Sequence, residues 1–383
     1  MAKFLFWFSI AALLYTFVGY PLAVWMLARF RGRHVSKQPF TPHLTVIIAC
    51  LNEEKNIAAR IHNLLQSDYP KTHLEIIVVS DGSTDRTVEC AESFTSQSVR
   101  LLHYPERRGK PSALNLGVQH ASGDILVFAD ARQSFEPQAL KELAANFADA
   151  TVGAVSGSYV ISKPGGSTVV EGVGFYWQYE AWIRQNEGRF NSIIGATGAI
   201  YAIRKKLWKA LPPETILDDV YTPMQIALSG SRVIYEPAAA AHDRAPQSAR
   251  REFSRKARTL TGNYQLCQLM PRLLFPNNLL LWQFWSHKLL RLAAPILMMI
   301  LLIANISICL QNAGDLAALF YKTALAFQSG FYLSVLFGWL LAKRKIRVKI
   351  FNVVYVFSVM NAAAIVGLFY FIFGKRNVWV RGE

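Results

Sequence analysis

LTVIIAC, at residues 44–50, is a β-rich run that leads directly into the polar residues Asn52, Glu53 and Glu54. From this run to about residue 240, further β-rich runs alternate with helical stretches. We predict four strands and three helices, with the strands at 44–50, 74–80, 99–103 and 125–129 and the helices at 54–65, 84–94 and 110–120.

This alternation predicts an α/β fold, a mostly parallel sheet with helices on both faces. In such sheets, ligands bind outside the carboxyl ends of the strands. The polar clusters of this chain fall at those predicted ends, so we expect a binding site there.

Apolar residues make up 52% of the 383 residues and gather at the two ends of the chain. Residues 4–28 are enough to cross ~30 Å of hydrocarbon, and they lack the small-residue cleavage site of a signal peptide. Further apolar segments lie at about 292–310, 316–341 and 350–373. We therefore expect a multi-pass protein of the cell (inner) membrane.

The formal net charge is +16, and basic residues cluster beside the apolar segments. Such clusters favour the cytosolic side and contact anionic lipid headgroups. They do not form a stripe with interleaved aromatic residues, so we expect membrane lipids and no nucleic acid as partners. The two clusters are Arg29, Arg31 and Arg33, and Lys343, Arg344, Lys345, Arg347 and Lys349.

We expect four regions along the chain. They are an N-terminal transmembrane anchor (1–30), a cytosolic α/β domain (40–245), interfacial amphipathic helices (246–290) and a C-terminal transmembrane region (291–383). Four crossings would place the tail outside, although its Lys375, Arg376 and Arg381 favour the inside. Either one late segment is re-entrant or the tail breaks the rule.

The four cysteines, Cys50, Cys90, Cys267 and Cys309, form no Cys-x-x-Cys pair. We interpret them as reduced, buried thiols, and they suggest no zinc site.

Two polar loops follow the first two predicted strands, one with Asn52 and Glu53 and one with Asp81-Gly82. A carboxylate there can accept a hydrogen bond from a base or ribose, and Gly82 permits close backbone approach. Simple helix capping by Ser83 or Thr84 explains the second loop equally well.

The next two motifs are suited to phosphate. Gly109-Lys110 opens a predicted helix and offers backbone donors and a cation to a diphosphate, although a solvated basic turn is the alternative. Asp130-Ala131-Arg132 follows the fourth strand, where Asp130 can hold a divalent cation (Mg²⁺ or Mn²⁺) that bridges two phosphates.

Two later motifs are suited to an acceptor. Residues 193–198, with Gly195, Thr197 and Gly198, form a small-residue passage against which a sugar can lie. Asp218 and Asp219 precede an apolar helix, where they are either N-terminal helix charges or a general base for an acceptor hydroxyl.

Together these motifs resemble the family-2 glycosyltransferases, in particular the membrane-bound cellulose, hyaluronan and poly-N-acetylglucosamine synthases. The resemblance covers about residues 44–265 and implies a GT-A fold. It implies that Asp81 contacts uracil, that Lys110 lies near the nucleotide and that Asp130 is the first acid of the metal-binding Asp-x-Asp. It also implies that Asp219 is the catalytic base, and that Gly230 and Tyr235-Glu236-Pro237 follow at the family's spacing.

Two positions depart from the family pattern. Arg132 replaces the second metal acid, so either it offsets diphosphate charge itself or a cation is held through Asp130 and the phosphates. The family's Gln-x-x-Arg-Trp reads Arg255-Lys256-Ala257-Arg258-Thr259, with Gly262 in register. Arg258 matches the diphosphate-binding arginine, but Thr259 replaces the tryptophan that supports the acceptor sugar.

The expected activity is inverting transfer of a sugar from a nucleotide sugar, which the resemblance implies is UDP-linked, to a growing polysaccharide at the cytosolic membrane face. Transfer of one sugar to a polyprenyl phosphate or glycolipid is the first alternative, and an inactive scaffold of an export complex is the second. The amides Asn305, Gln328 and Asn361 mark either a polymer path or helix packing.

The residues we expect to bind the nucleotide sugar are Asn52, Glu53, Asp81, Lys110, Asp130, Arg132 and Arg258. The residues we expect beside the acceptor are Gly195, Thr197, Gly198, Asp218, Arg255 and Thr259.

Overall fold

The structure is a computed structural model that describes residues 1–95, 98–162, 168–244, 249–311, 316–344, 346 and 348–374. The basic residues Lys345, Arg347, Lys375, Arg376 and Arg381 lie outside the described residues, and so does the predicted end of the C-terminal region.

Eight described strands form one sheet in the order β3-β2-β1-β4-β7-β6-β8-β5. In chain order they are β1 Leu44–Cys50, β2 Leu74–Asp81, β3 Val99–Tyr104, β4 Ile125–Ala129, β5 Ser134–Phe135, β6 Val152–Ser162, β7 Ile200–Arg204 and β8 Arg232–Arg244.

The helices are α1 Ala2–Leu14, α2 Tyr20–Arg31, α3 Ile57–Leu65, α4 Thr87–Glu92, α5 Lys110–His120, α6 Ala139–Ala145, α7 Thr168–Phe190, α8 Asp218–Leu228, α9 Ala249–Leu269, α10 Leu281–Gln283, α11 Leu290–Gln311, α12 Leu316–Lys343 and α13 Lys349–Ile372. Two π-helical turns, Tyr15–Gly19 and Phe284–Leu289, join α1 to α2 and α10 to α11.

The first half of the sheet is parallel, with β1 at its centre between β2 and β4. Every residue of β1 is buried, which explains why its sequence is apolar without alternation. Strands β1 and β4 and helix α5 have the predicted bounds. The prediction of a mostly parallel sheet is confirmed for this half.

The second half of the sheet is mixed. Strand β7 is antiparallel to both β4 and β6, whereas β6 and β8 are parallel and β5 closes the edge against β8. Apolar clusters cover both faces, one including Val46 and Ile61 and the other including Ile47 and Leu114. Neighbouring residues of β1 thus pack on opposite faces, as the pleat requires.

Within the described residues, four helical segments are long and apolar enough to cross a membrane: Ala2–Arg31, Leu281–Gln311, Leu319–Lys343 and Lys349–Ile372. They match the four predicted apolar segments. The second begins about ten residues earlier than predicted, because α10 and the following π turn continue into α11. Its first residues therefore fall in the stretch that we assigned to interfacial helices.

Helix α9 connects the membrane helices to the sheet domain. Thr261 donates a hydrogen bond to the backbone oxygen of Gly367 in α13, at 3.2 Å. On another side, a β-carbon at Gly262 would lie 2.4 Å from Leu217 Cγ, so only glycine lets α9 approach the segment before α8 this closely. The position of α8 therefore depends on α9 and α13.

Candidate active site

The loops after β1 and β2 are tied to each other at the carboxyl edge of the sheet. Asn52 has a φ of 56°, and its side-chain oxygen accepts a hydrogen bond from Thr84 N at 2.8 Å. The backbone N–H of Glu53 donates to Thr87 Oγ1 at 2.7 Å. Burial raises the pKa of the Glu53 carboxyl, which accepts from Asn56. In this structure Asn52 and Glu53 shape the loops, and their contact with a nucleotide stays a prediction.

Asp81, at the end of β2, holds the loop that leads to Lys110. Only 1% of Asp81 is exposed, and its carboxylate accepts from Tyr104 Oη at 2.8 Å and from the backbone N–H groups of Arg108 and Gly109 at 2.7 and 2.9 Å. Gly109 has a φ of 91°, a conformation that favours glycine. Asp81 therefore fixes the start of α5, and the implied contact with uracil stays a prediction.

Lys110, the first residue of α5, reaches into a group of carboxylates. Its Nζ lies 3.1 Å from Asp130 Oδ1, at the end of β4, and 3.3 Å from Asp218 Oδ1, at the start of α8. Burial lowers the pKa of Lys110, but the surrounding carboxylates outweigh burial and raise it. Lys110 thus stays charged and joins two polar loops that lie 88 residues apart in the chain.

Asp219 is held by the small-residue passage. The backbone N–H of Gly198 donates to Asp219 Oδ2 at 2.8 Å, and Ala196 N donates to the backbone oxygen of Asp219 at 2.7 Å. A β-carbon at Gly198 would lie 3.2 Å from that carboxylate oxygen. Gly195 has a φ of 130°, which turns the chain at this point. The structure therefore brings Gly198 against Asp219 and Gly195 against the neighbouring Val220.

Thr197 and Asp218, two further residues of the predicted acceptor site, make contacts next to Asp219. Thr197 N donates to Ser156 Oγ at 3.1 Å, and Tyr201 Oη contacts Asp218 Oδ2 at 3.4 Å. Asp218 is itself buried. Its Lys110 and Tyr201 contacts make Asp218 a supporting residue in this structure, and its place beside an acceptor stays a prediction.

The electrostatic balance of the group favours a proton acceptor at Asp219. Burial, and then the charge of Asp218, raise the pKa of Asp219 to about 6, while Lys110 acts to lower it. A carboxyl group with this pKa is ionised at neutral pH yet accepts a proton more readily than an ordinary aspartate does. We call Lys110, Asp130, Asp218 and Asp219 the carboxylate cluster.

Arg132 belongs to a different group at the β8 edge. Its Nε and Nη2 donate to the two carboxylate oxygens of Asp243 at 3.0 and 2.6 Å. Gln133 Nε2 and Tyr159 Oη also donate to Asp243, at 2.9 and 2.7 Å. Burial opposes ionisation of Asp243, but the hydrogen bond from Arg132 and the other donors hold its pKa below the ordinary value. We call Arg132, Gln133, Tyr159 and Asp243 the arginine cluster.

We predicted that Arg132 offsets the charge of a diphosphate. In this structure the buried carboxylate of Asp243 already balances the charge of Arg132, so a diphosphate would have to compete with Asp243. Asp243, Gln133 and Tyr159 were not among the predicted site residues. Asp243 lies near the end of β8, but the run before it, PAAAAH at 237–242, is rich in alanine and carries no strand signal.

The three predicted site residues of helix α9, Arg255, Arg258 and Thr259, have different surroundings. Arg255 forms a hydrogen bond with Tyr159 and thus adjoins the arginine cluster. For Arg258, the described residues provide no hydrogen bond or ion pair, so its charge is free to meet a ligand. Thr259 Oγ1 donates to the backbone oxygen of Arg255 at 3.0 Å, within its own helix.

Gln265, which the sequence analysis also missed, anchors the segment before Asp218. Its side-chain oxygen accepts from Ile216 N at 2.9 Å, and its Nε2 donates to the backbone oxygen of Glu214 at 2.8 Å. Gln265 is itself buried, and both bonds are partly buried. Gln265 thereby transmits the position of α9 to the carboxylate cluster.

The described residues include no group of three or more His, Cys, Asp or Glu side chains that could hold a metal ion. A cation held here by one carboxylate would take its further ligands from a substrate or from water. Mg²⁺ is often held in this way, by one or two carboxylates and substrate phosphates. Asp130, whose side chain is 38% exposed, fits the part of the single carboxylate.

Known proteins resemble this chain most clearly in its sheet domain. A family model described as glycosyl transferase family 2 matches residues 45–211, which span β1 to the segment before α8. The chain carries a family-2 glycosyltransferase domain. The predicted resemblance is thereby confirmed, and the four apolar segments agree with its membrane-bound form.

Two curated relatives show how far the sequence similarity extends. Glycosyltransferase AglE of Haloferax volcanii is 33% identical over 132 residues, 34% of this chain and 43% of the relative. Poly-beta-1,6-N-acetyl-D-glucosamine synthase of Staphylococcus aureus is 27% identical over 239 residues, 58% of this chain and 55% of the relative. The chain thus spans about half the length of these relatives.

One solved structure matches almost the whole chain. Mannosyltransferase PcManGT of Pyrobaculum calidifontis, solved with GDP-mannose and Mn²⁺, superposes with a TM-score of 0.75 at 24% identity. The match covers 97% of this chain and 99% of that one. It confirms the predicted GT-A fold of the glycosyltransferase domain.

Proposed function

We propose that this protein is an inverting glycosyltransferase that moves a sugar from a nucleotide sugar to an acceptor hydroxyl at the cytosolic face of a membrane. The carboxylate cluster is the observation that carries the proposal. It places Asp219 beside Lys110 and Asp130 at the carboxyl edge of the sheet, where α/β proteins bind their ligands.

Asp219 acts as the general base in this proposal. It removes the proton of the acceptor hydroxyl while that oxygen forms a bond to the anomeric carbon of the donor. The bond between the anomeric carbon and the diphosphate oxygen breaks, and its electron pair leaves with the nucleoside diphosphate. A single displacement of this kind inverts the anomeric configuration.

The negative charge that develops on the leaving diphosphate needs compensation. Lys110, whose pKa is raised, remains a cation throughout. Arg258 supplies a second cation from α9, because the described residues leave its charge unbalanced. The two cations thus come from two parts of the protein, Lys110 from the sheet domain and Arg258 from helix α9.

A divalent cation at Asp130 would supply further positive charge to the two phosphates. The matched mannosyltransferase was solved with GDP-mannose and Mn²⁺, which supports testing Mn²⁺ first. The nucleotide stays open between UDP, which the family resemblance implies, and GDP. Asp81 does not decide it, because its carboxylate is already bonded to the loop before α5.

A growing polysaccharide is the acceptor that the relatives support, since the Staphylococcus aureus enzyme is named as a polysaccharide synthase. A single transfer to a polyprenyl phosphate or glycolipid is the second candidate. Thr259 favours this second candidate, because it bonds to its own helix and offers no aromatic face to a sugar.

The intramembrane amides agree with anchoring. Asn305 is fully buried and lies 3.4 Å from Gln328 of the neighbouring helix, and Asn361 bonds to a backbone oxygen of its own helix. Interhelical and intrahelical bonds of this kind serve packing. An inactive scaffold remains the third candidate, which Arg132 suggested, but the intact carboxylate cluster argues against it.

The proposal is tested with the full chain purified in detergent and returned to vesicles. A panel of UDP- and GDP-sugars is incubated with it in the presence of Mn²⁺ or Mg²⁺, and release of the nucleoside diphosphate is measured. We expect release with at least one donor, loss of release with a chelator, and loss in the Asp219→Asn variant.

The products distinguish the acceptors. A ladder of sizes indicates polymer synthesis, whereas a single lipid-soluble product indicates one transfer. Release that survives the chelator would assign the charge compensation to side chains alone. No release from any donor, with donor binding still measurable, would contradict the proposed activity and favour the scaffold.

A further inference from the structure

A cavity of about 450 Å³ lies outside the carboxylate and arginine clusters, between the end of α2, the end of α7 and the first residues of β8. None of the predicted site residues lines it. Because β8 is parallel to β6 and ends at the arginine cluster, the first residues of β8 lie at the opposite edge of the sheet.

The cavity lining is strongly basic. Arg29, Arg33, Lys37, Arg189 and Arg232 line it, and within the described ranges no Asp or Glu does. Lys37 is balanced by ion pairs with Glu142 and Glu236. The four arginines have no ion pair with any described residue. An excess of uncompensated positive charge around a concave surface is suited to an anion.

Arg232 makes the site more than a set of exposed arginines. It is only 8% exposed, and its Nη2 donates to the backbone oxygens of Arg33 and Gly188 at 2.9 and 3.1 Å. Its Nε has no hydrogen-bond partner among the described residues. Burial lowers the pKa of this guanidinium, and the charge of Asp149 offsets that effect only in part. A buried cation without an ion pair is unfavourable, and a bound anion would relieve it.

The walls of the cavity are fixed to one another. Arg33 N donates to the backbone oxygen of Arg189 at 2.8 Å, which joins the end of the first membrane-length segment to the end of α7. Arg232 bridges the same two segments through its carbonyl contacts. The cations are therefore held around one space before any ligand arrives.

The position of the cavity identifies the source of the anion. Trp25 lines it and is 45% exposed, and the adjoining turns of α2 also expose Leu22, Met26 and Phe30. Tryptophan is enriched where a membrane segment meets the headgroup region, and arginine on the cytosolic side attracts acidic lipids. An apolar rim beside a basic interior is suited to one molecule with an apolar tail and an anionic head.

We propose that this cavity binds the phosphate headgroup of one acidic phospholipid, with its acyl chains along α2. The bound lipid joins the membrane anchor to the sheet domain through Arg33, Arg189 and Arg232. This inference does not depend on the proposed sugar transfer.

The test uses the full chain in detergent and measures thermal stabilisation by short-chain phosphatidylglycerol, phosphatidylcholine of equal chain length, and inorganic phosphate. We expect saturable stabilisation by phosphatidylglycerol that neither of the other two reproduces. Arg33→Gln combined with Arg189→Gln should weaken the apparent Kd by about tenfold or more, since the pair of substitutions removes two charged hydrogen-bond donors from the phosphate.

Arg31→Gln is the control. Arg31 lies in the last turn of α2, two residues before Arg33, but it does not line the cavity. It should change the apparent Kd less than about twofold, the level of a screened surface charge. Equal weakening by Arg31→Gln would show that general surface charge is responsible and would overturn the proposal. Equal stabilisation by phosphatidylcholine, or by phosphate alone, would overturn it as well.

Discussion

The carboxylate cluster and the arginine cluster contain similar groups but differ in their charge balance. In the first, Lys110 faces three carboxylates, Asp130, Asp218 and Asp219. In the second, Arg132 donates two parallel hydrogen bonds to the single buried carboxylate of Asp243, which also accepts from Gln133, Tyr159 and the backbone N–H of Arg244.

From this difference we infer a reactive role for the carboxylate cluster and a structural role for the arginine cluster. Burial, and then the charge of Asp218, raise the pKa of Asp219 to about 6, so that it accepts a proton more readily than an ordinary aspartate does. The Asp243 carboxyl has a lowered pKa and satisfied oxygens, so it has little capacity to react. Arg132, which stands where the family has a second acid, thus places its positive charge at the end of β8, and Asp130 remains the acid that we propose for the cation.

The largest effect is expected from Asp219→Asn. The amide keeps the size of the side chain but cannot accept the proton, so transfer should fall by ~10²–10⁴-fold. Diphosphate release under saturating donor is the measurement. Asp68→Asn, which removes an exposed surface carboxylate paired with Lys141, is the control and should retain activity. Near-normal turnover in Asp219→Asn would show that another group is the base.

Lys110→Met should have the next largest effect. It removes the cation that lies 3.1 Å from Asp130 and 3.3 Å from Asp218, so the ion pairs of both carboxylates with this cation are lost. We expect a loss of about 10²-fold in kcat/KM, the order found when one charge-stabilising donor is removed. Lys110→Arg, measured in parallel, should retain more activity than Lys110→Met. Equal losses would point to packing instead of charge.

Arg132→Gln should affect stability more than activity. It leaves the buried carboxylate of Asp243 without its cation, at a cost of ~1–3 kcal/mol in the free energy of unfolding. Activity should change less than about tenfold, because Arg132 is outside the carboxylate cluster. The exposed surface pair of Arg86 and Glu89 provides the control, and Arg86→Gln should leave the free energy of unfolding almost unchanged. A loss of activity like that of Asp219→Asn would place Arg132 at the donor.

The smallest effect is expected from Tyr159→Phe, which removes one of the five hydrogen bonds that described residues donate to the Asp243 carboxylate. The free energy of unfolding should fall by about 1 kcal/mol, the typical net contribution of one hydrogen bond. Diphosphate release should stay near the wild-type rate. A large drop in release with unchanged stability would show that the arginine cluster takes part in the reaction.

Local sequence patterns predicted those parts of the fold that depend on local forces. Strands β1 and β4 and helix α5 have the predicted bounds, because long apolar runs and a Gly-Lys helix start leave little choice. Helix α3 begins at Ile57 instead of residue 54. Asn52 and Glu53 draw the preceding loop towards Thr84 and Thr87, a contact across more than thirty residues that periodicity does not reveal.

In the site, too, local patterns were predictable and contacts between distant residues were not. Motif order identified the residues of the carboxylate cluster, because each follows a strand or opens a helix at one edge of the sheet. The partner of Arg132 escaped prediction, because Asp243 lies 111 residues away and pairs only after β6 and β8 align. The role of Asp81 in holding the loop before α5 likewise depends on backbone N–H donors, whose positions cannot be predicted from residue types alone.

The pH dependence of kcat/KM tests the account most directly, because this ratio reports the pKa of the free enzyme's base. Asp219 must be ionised to accept a proton, so activity should fall as the pH decreases through about 6. Lys110 lowers the pKa of Asp219, so Lys110→Met should move this acidic limb to higher pH. A wild-type profile that is flat through pH 6, or a limb that does not move in the variant, would contradict Asp219 as the base.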